Sequence, residues 1–244
     1  MSESERILGF LKEDGAETKV KIVDEEMISR GLYGNIFDAT VDVQGHKRKF
    51  VIKKYVNRHK GIRHSSASLE PEECAKRAFE NYNMLKREGM KVLNTFRIGE
   101  DGTSILMTPG ISEEYDCASG NEYQEKYPIN EIENFDEILE TLFDAAILAA
   151  EKNIVFHHDA FFFTYKKQDT TTMDYFLGDL DNIKNQSGEE FKIKRLKYAN
   201  ICAVKIAIES FLSSTMRRNQ AAYSKYVDRL NKFFEEFRRI NPKI

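Results

Sequence analysis

The chain has 244 residues, 41% of them apolar and 32% charged, with a formal net charge of -3. That length can bury a sizeable core as one domain or as two close-packed lobes, and the composition is that of a soluble globular protein. No apolar run approaches a membrane span, the start MSESERILGF lacks the basic beginning and apolar middle of a secretory signal, and the charge gives no general pull toward nucleic acid. Cytoplasmic residence is the expectation, although a surface-bound protein would show the same pattern. Cys74, Cys117 and Cys202 are scattered, which argues against a disulfide framework and against zinc, and leaves them as small apolar residues.

Residues 19–55 follow a strand pattern: KVKIV, a turn at 31–34, NIFDATVDV, a turn at Gln44 and Gly45, then RKFVIKKY. Gly31 and Gly34 stand where a backbone could fold over phosphates and offer its N–H groups, although any tight turn favours glycine. Lys53 follows the apolar Phe50, Val51 and Ile52, placed to point one cation into the same space. Residues 57–68, NRHKGIRHSSAS, form a basic loop, either solvated surface or a recognition loop for an anionic acceptor. A helix is expected over 71–88, with Pro71 in its first turn, Glu72 and Glu73 at its positive end and Gly89 as its stop. Ala75, Ala78, Phe79, Tyr82 and Leu85 form its buried face. Glu80 is placed beside that face, either solvated or reaching Lys53 across the sheet. Strands at 92–96 and 104–107, around a turn at 99–102, complete a five-stranded antiparallel sheet with one main helix. Thr108, Pro109 and Gly110 then suit a linker dividing 1–108 from 109–244.

Residues 111–129 are acidic and irregular. A long helix is expected over 131–153, with Phe135, Ile138, Leu139, Leu142, Phe143, Ala146 and Ala150 on its buried side. It leads into FHHDAFFFTYKKQDTTTMDYFLGDLDN, residues 156–182, where two aromatic-rich runs, 161–165 and 173–177, flank the polar cluster 168–172. That is a hairpin signature. It gathers Asp159, Asp179 and Asp181, carboxylates that repel one another unless a cation or a shared proton intervenes. Magnesium, which favours a few carboxylates plus phosphate oxygens, is the expected cation; turn and cap residues are the plain alternative. A polar turn at 184–190, an apolar helix over 195–213 and an amphipathic helix over 219–239 follow. The Lys and Arg face of the last helix fits either solvated packing or contact with an anionic membrane surface.

The order of these parts resembles the protein-kinase-like fold: glycine turn, strand Lys, helix Glu, linker, long helix, His-x-Asp, hairpin, second Asp. More narrowly, AKRAFENYNMLKREGMKV, FHHDAFFFTYKK, and DYFLGDLDNI followed by IKRLKYANICAV are similar to the bacterial lipopolysaccharide core kinases that phosphorylate Kdo or heptose. The resemblance implies an α+β, two-lobed chain with a mostly helical C-lobe. It assigns Gly31 and Gly34 to a phosphate-covering turn, with Ser29 where the family often has the first glycine. Lys53 would bind ATP phosphates and pair with Glu80, and Met107, Thr108 and Gly110 would form the hinge beside adenine. Asp159 would be the catalytic base, His157 its brace, and Asp179 the principal magnesium ligand. Thr164, five residues after Asp159, stands where typical kinases have a metal-binding Asn, and Asp181 would share a second metal. The short stretch after Asp179 lacks a peptide platform, which favours a sugar or glycolipid acceptor over a protein. A protein or small-molecule kinase and a pseudokinase interaction module are the other readings.

Overall fold

The computed structural model describes residues 6–8, 18–31, 34–43, 45–56, 70–98, 102–107, 115–119, 129–185 and 190–240. The chain is α+β and forms two compact units, Met1–Pro109 and Gly110–Ile244. The linker residues Thr108, Pro109 and Gly110 and the basic loop 57–68 lie outside the described residues.

The first unit runs β1 (Arg6–Leu8), β2 (Thr18–Arg30), β3 (Gly34–Val43), β4 (His46–Tyr55), α1 (Pro71–Arg87), β5 (Thr95–Ile98) and β6 (Ser104–Met107). The five expected strands pair antiparallel in the order β2-β3-β4-β6-β5, and β1 joins β2 to β5 and closes the sheet. One face gathers Ala39, Val41, Phe50, Ile52, Ile98 and Leu106, with Ile22, Phe37, Val43 and Phe96 packed against them. Residue alternation therefore turns Val51 and Lys53 of β4 to the opposite face. β2 extends well past KVKIV, because bulges between Ile22 and Asp24 and between Met27 and Ser29 keep it paired with β3 through an acidic run without regular alternation. β5 starts later than the expected 92, since the Thr95 hydroxyl donates to the Leu93 carbonyl and closes a turn just before it.

The second unit holds β7 (Tyr115–Ser119), β8 (Glu131–Ile132), α2 (Phe135–Glu151), β9 (Ile154–Val155), β10 (Phe161–Lys166), β11 (Thr170–Thr171), β12 (Met173–Leu177), β13 (Lys184–Asn185), α3 (Glu190–Thr215) and α4 (Gln220–Ile240). The expected hairpin is β10 with β12, and β7 adds a third strand on the other side of β10. The stretch expected to be irregular thus contains a strand, made so by its partner rather than by its own pattern. Phe161, Phe163 and Tyr165 alternate onto the inner face and are fully buried, each contributing roughly 2–3 kcal/mol of hydrophobic stabilisation. α2 begins at 135 rather than 131, because Glu131 and Ile132 pair in parallel with Thr170 and Thr171. Asn134 then exchanges two bonds with the Met173 backbone, Nδ2 donating to O at 2.8 Å and Oδ1 accepting from N at 2.9 Å. α3 starts at Glu190, earlier than the expected 195.

α4 turns its apolar side inward. Phe143 of α2 meets the rings of Phe233 and Phe237, and Phe135 meets Tyr226 edge-on. Its outer side is of mixed sign, with Asp228, Glu235 and Glu236 among Lys225, Lys232, Arg238 and Arg239, and Arg229 is paired to Asp136 at 2.8 Å. The packed apolar side and the mixed outer charges favour solvated packing over the membrane-contact reading. Among the described residues no helix is long and apolar enough to cross a membrane. Cys74 and Cys117 are buried and Cys202 is half-buried, none of them in a disulfide.

Candidate functional site

In the first unit the glycine turn closes with the Gly31 N–H donating to the Gly34 carbonyl at 2.8 Å. Gly34 is required by the sheet itself. A Cβ there would lie 2.8 Å from the Lys54 carbonyl oxygen and 3.4 Å from Lys53 Cγ, because Gly34 pairs with Tyr55 at the end of the β3–β4 ladder. Gly34→Ala is therefore expected to destabilise the unit by about 1–3 kcal/mol, the usual cost of overpacking, which urea unfolding would measure. Gly31 has more room, its added Cβ meeting only the Gly34 oxygen at 3.3 Å.

Lys53 is 7% exposed, with Nζ 5.0 Å from the centre of the Tyr55 ring. Its register partners are Ile36 on β3 and Ile105 on β6, and Val51 lies opposite Met107, so Lys53 and the buried Met107 belong to adjoining strands of one ladder. Glu80 is a correction. The buried residues of α1 are Cys74, Ala75, Ala78, Asn81, Tyr82 and Leu85, and two residues on from Ala78 a helix has turned about 160° away from it. Glu80 is thus on the solvent side, 63% exposed, with its carboxylate 3.9 Å from Lys76 Nζ, and it does not meet Lys53.

In the second unit the hairpin register runs from Tyr165 opposite Met173 to Phe161 opposite Leu177. One step further the strands end, and the Gly178 N–H donates to the Ala160 carbonyl at 2.8 Å. Asp159 and Asp179 are the next residues outward on the two arms. Asp159 sits within a short 3-10 turn, His158–Ala160, and Asp179 immediately precedes another, Leu180–Asn182. Asp179 has φ 47° and ψ 47°, a left-handed conformation that disfavours most side chains and that Asp and Asn tolerate best. Asp181 is buried two residues later.

His157 Nδ1 lies 2.7 Å from Asp159 Oδ1. The imidazole is 54% exposed and the carboxylate 23%. The His158 ring packs on His157 with centroids 4.2 Å apart. Burial, with the charge of His157, lowers the pKa of His158 below its ordinary value, and Asp159 opposes that shift.

Thr164 lies in extended strand. β10 begins at Phe161, leaving only Ala160 between Asp159 and the strand, so Thr164 sits about 10 Å along the strand from Phe161. It is buried mid-sheet, opposite Asp174 of β12 and Cys117 of β7. The interval of five residues would suit a loop, whereas here it is spent on extended strand.

Asn200 of α3 braces the segment that leads into this turn. It is fully buried; its Oδ1 accepts from the Phe156 N–H at 2.9 Å, and its Nδ2 donates to the carbonyls of Ile154 at 2.8 Å and Ala146 at 3.2 Å. One side chain therefore ties the end of α2, β9 and the residue before His157 together. A polar amide inside the apolar run through Ile201 and Val204 was the available signal, and the sequence reading missed it.

Among the described residues no group of three or more His, Cys, Asp or Glu side chains is gathered to hold a metal ion. The donors that Asp179 and Asp181 offer are hard carboxylate oxygens, which suit magnesium completing its shell with water and phosphate. No family model matches the chain, and no curated protein matches it.

Proposed function

We propose that the chain is a two-lobed, protein-kinase-like phosphotransferase that moves the γ-phosphoryl group of ATP to a hydroxyl of a sugar or glycolipid, of the kind found in lipopolysaccharide core Kdo or heptose. The observation that carries this reading is the closed end of the hairpin, where Asp159 and Asp179 follow directly from the last strand pair and their turns are joined by the Gly178 to Ala160 bond. Two carboxylates held on tethered turns are what in-line phosphoryl transfer needs, one acting on the attacking hydroxyl and one on a magnesium ion that neutralises phosphate charge. In this reading Lys53 and the N–H groups near Gly31 hold phosphates, Met107 borders the adenine, Asp179 and Asp181 hold magnesium, and Asp159 serves the acceptor. α3 begins at Glu190, so the chain between the proposed metal turn and that helix is too short for a peptide platform, which supports a small acceptor such as a sugar.

The place of Thr164 in mid-strand favours a second reading, a pseudokinase, since it removes the residue expected to hold a second metal. Thermal shift with ATP, with and without magnesium, on the wild type and Asp179→Ala decides between them. The phosphotransferase predicts a magnesium-dependent rise in melting temperature that Asp179→Ala loses, followed by transfer of labelled phosphate to deacylated lipopolysaccharide core in preference to protein. No shift at millimolar nucleotide would support the pseudokinase.

A further inference from the structure

Lys53 is buried on the face of β4 that turns away from the apolar cluster of the sheet, and the acid expected to hold it there lies on the solvent side of α1. A buried ammonium group is retained where the protein supplies compensating negative potential. Part of that potential comes from its own strand. Tyr55 is two residues on, so its side chain leaves the same face. Lys53 Nζ lies 5.0 Å from the centre of the Tyr55 ring, within the distance at which the negative face of an aromatic ring attracts a cation. We propose that Tyr55 is the positioning residue for Lys53: its ring carries the ammonium group and aims it, the task from which Glu80 is turned away. This inference rests on the phosphotransferase reading and names the group that orients the phosphate-binding lysine within it.

The ring stands on a fixed platform. Tyr55 is buried and takes the last rung of the β3–β4 ladder, opposite Gly34. Its N–H donates to the Thr103 carbonyl at 3.0 Å, just before β6 begins. The backbone that carries the ring is therefore held from both sides. Gly34 offers no side chain, and a Cβ there would come within 3.4 Å of Lys53 Cγ, so the glycine leaves the lysine stem room to run toward the ring. Ile36 and Ile105, the register partners of Lys53, flank that stem with apolar surface.

A ring and a carboxylate would hold a lysine differently. A carboxylate paired with the ammonium group offsets its charge and competes with an incoming phosphate. The ring attracts the cation through its quadrupole and carries no net charge, so Tyr55 fixes the direction of Lys53 without cancelling what it presents to a phosphate.

The test measures MgATP binding to the full chain by titration calorimetry. Tyr55→Leu, which removes the ring, is expected to weaken MgATP binding about 5–30-fold, and Tyr55→Phe, which keeps it, should restore most of that loss. Progressively fluorinated phenylalanines placed at position 55 alone keep the shape of the ring and drain its negative face, so affinity should fall with each added fluorine. A merely structural role would not give that trend, and the trend is read whether or not Tyr55→Leu folds. In a Lys53→Met background the series should go flat, because the two side chains act as one unit. The proposal is overturned if affinity survives full fluorination, or if Tyr55→Leu costs as much in the Lys53→Met background as in the wild type. A wild type that does not bind MgATP overturns the phosphotransferase reading, and this inference with it; a wild type that binds MgATP equally well whatever ring stands at position 55 overturns this inference alone.

Discussion

Asn200→Ala is expected to lower stability by about 3 kcal/mol, because it leaves the buried Phe156 N–H without its acceptor and two carbonyls short of a donor. For a unit of this size that is a drop of roughly 10 °C in melting temperature. Asn200→Asp separates the two halves of the effect: the carboxylate still accepts from Phe156 but cannot donate to Ile154 or Ala146, and it adds a buried charge. It should therefore be destabilised as well, with hydrogen exchange at Phe156 better protected than in the alanine variant. If calorimetry finds Asn200→Ala as stable as the wild type, the amide is not the brace of the segment before His157.

Asp179→Gly should behave in the opposite way. Glycine adopts φ 47° without the steric penalty of a Cβ, so the substitution is expected to leave the melting temperature unchanged or raise it by the equivalent of up to about 1 kcal/mol. Under the proposed phosphotransferase reading, the magnesium-dependent nucleotide shift should vanish, a loss of roughly 2.7 kcal/mol of ligand stabilisation at a hundredfold excess over Kd. Stability kept with ligand response lost is the mark of a residue held in a costly conformation for its carboxylate. A variant that still responds to magnesium would assign the proposed metal role to Asp181.

The hairpin was legible because its two apolar runs are aromatic, equal in length and split by a polar cluster, and the strand pairs fall as that pattern implies. The helices were legible from periodicity, with errors at the ends where tertiary pairing decides: Glu131 and Ile132 are claimed by Thr170 and Thr171 before α2 can begin. β7 was hidden, since YDCAS has no alternation and is a strand only through β10. Thr164 was placed by counting five residues from Asp159, and Glu80 by its place beside the apolar helix face. For Glu80 the helical wheel of its own neighbours already pointed the other way. For Thr164 the count presumed a loop, and the geometry of five residues differs greatly between loop and strand. Asn200 needed three backbone partners from distant segments to be known, which no local pattern supplies.

The tie between α4 and the start of the second unit bears on how the chain matures during synthesis. The Ile132 N–H donates to the Tyr226 hydroxyl at 2.7 Å across 94 positions, and Phe135 and Phe143 take their ring partners from α4. A nascent chain that has already completed its first sheet must therefore carry an exposed aromatic face on α2 until residues 226–237 emerge from the ribosome. In that interval the half-built unit is the species most open to chaperone capture or to sticking to its neighbours.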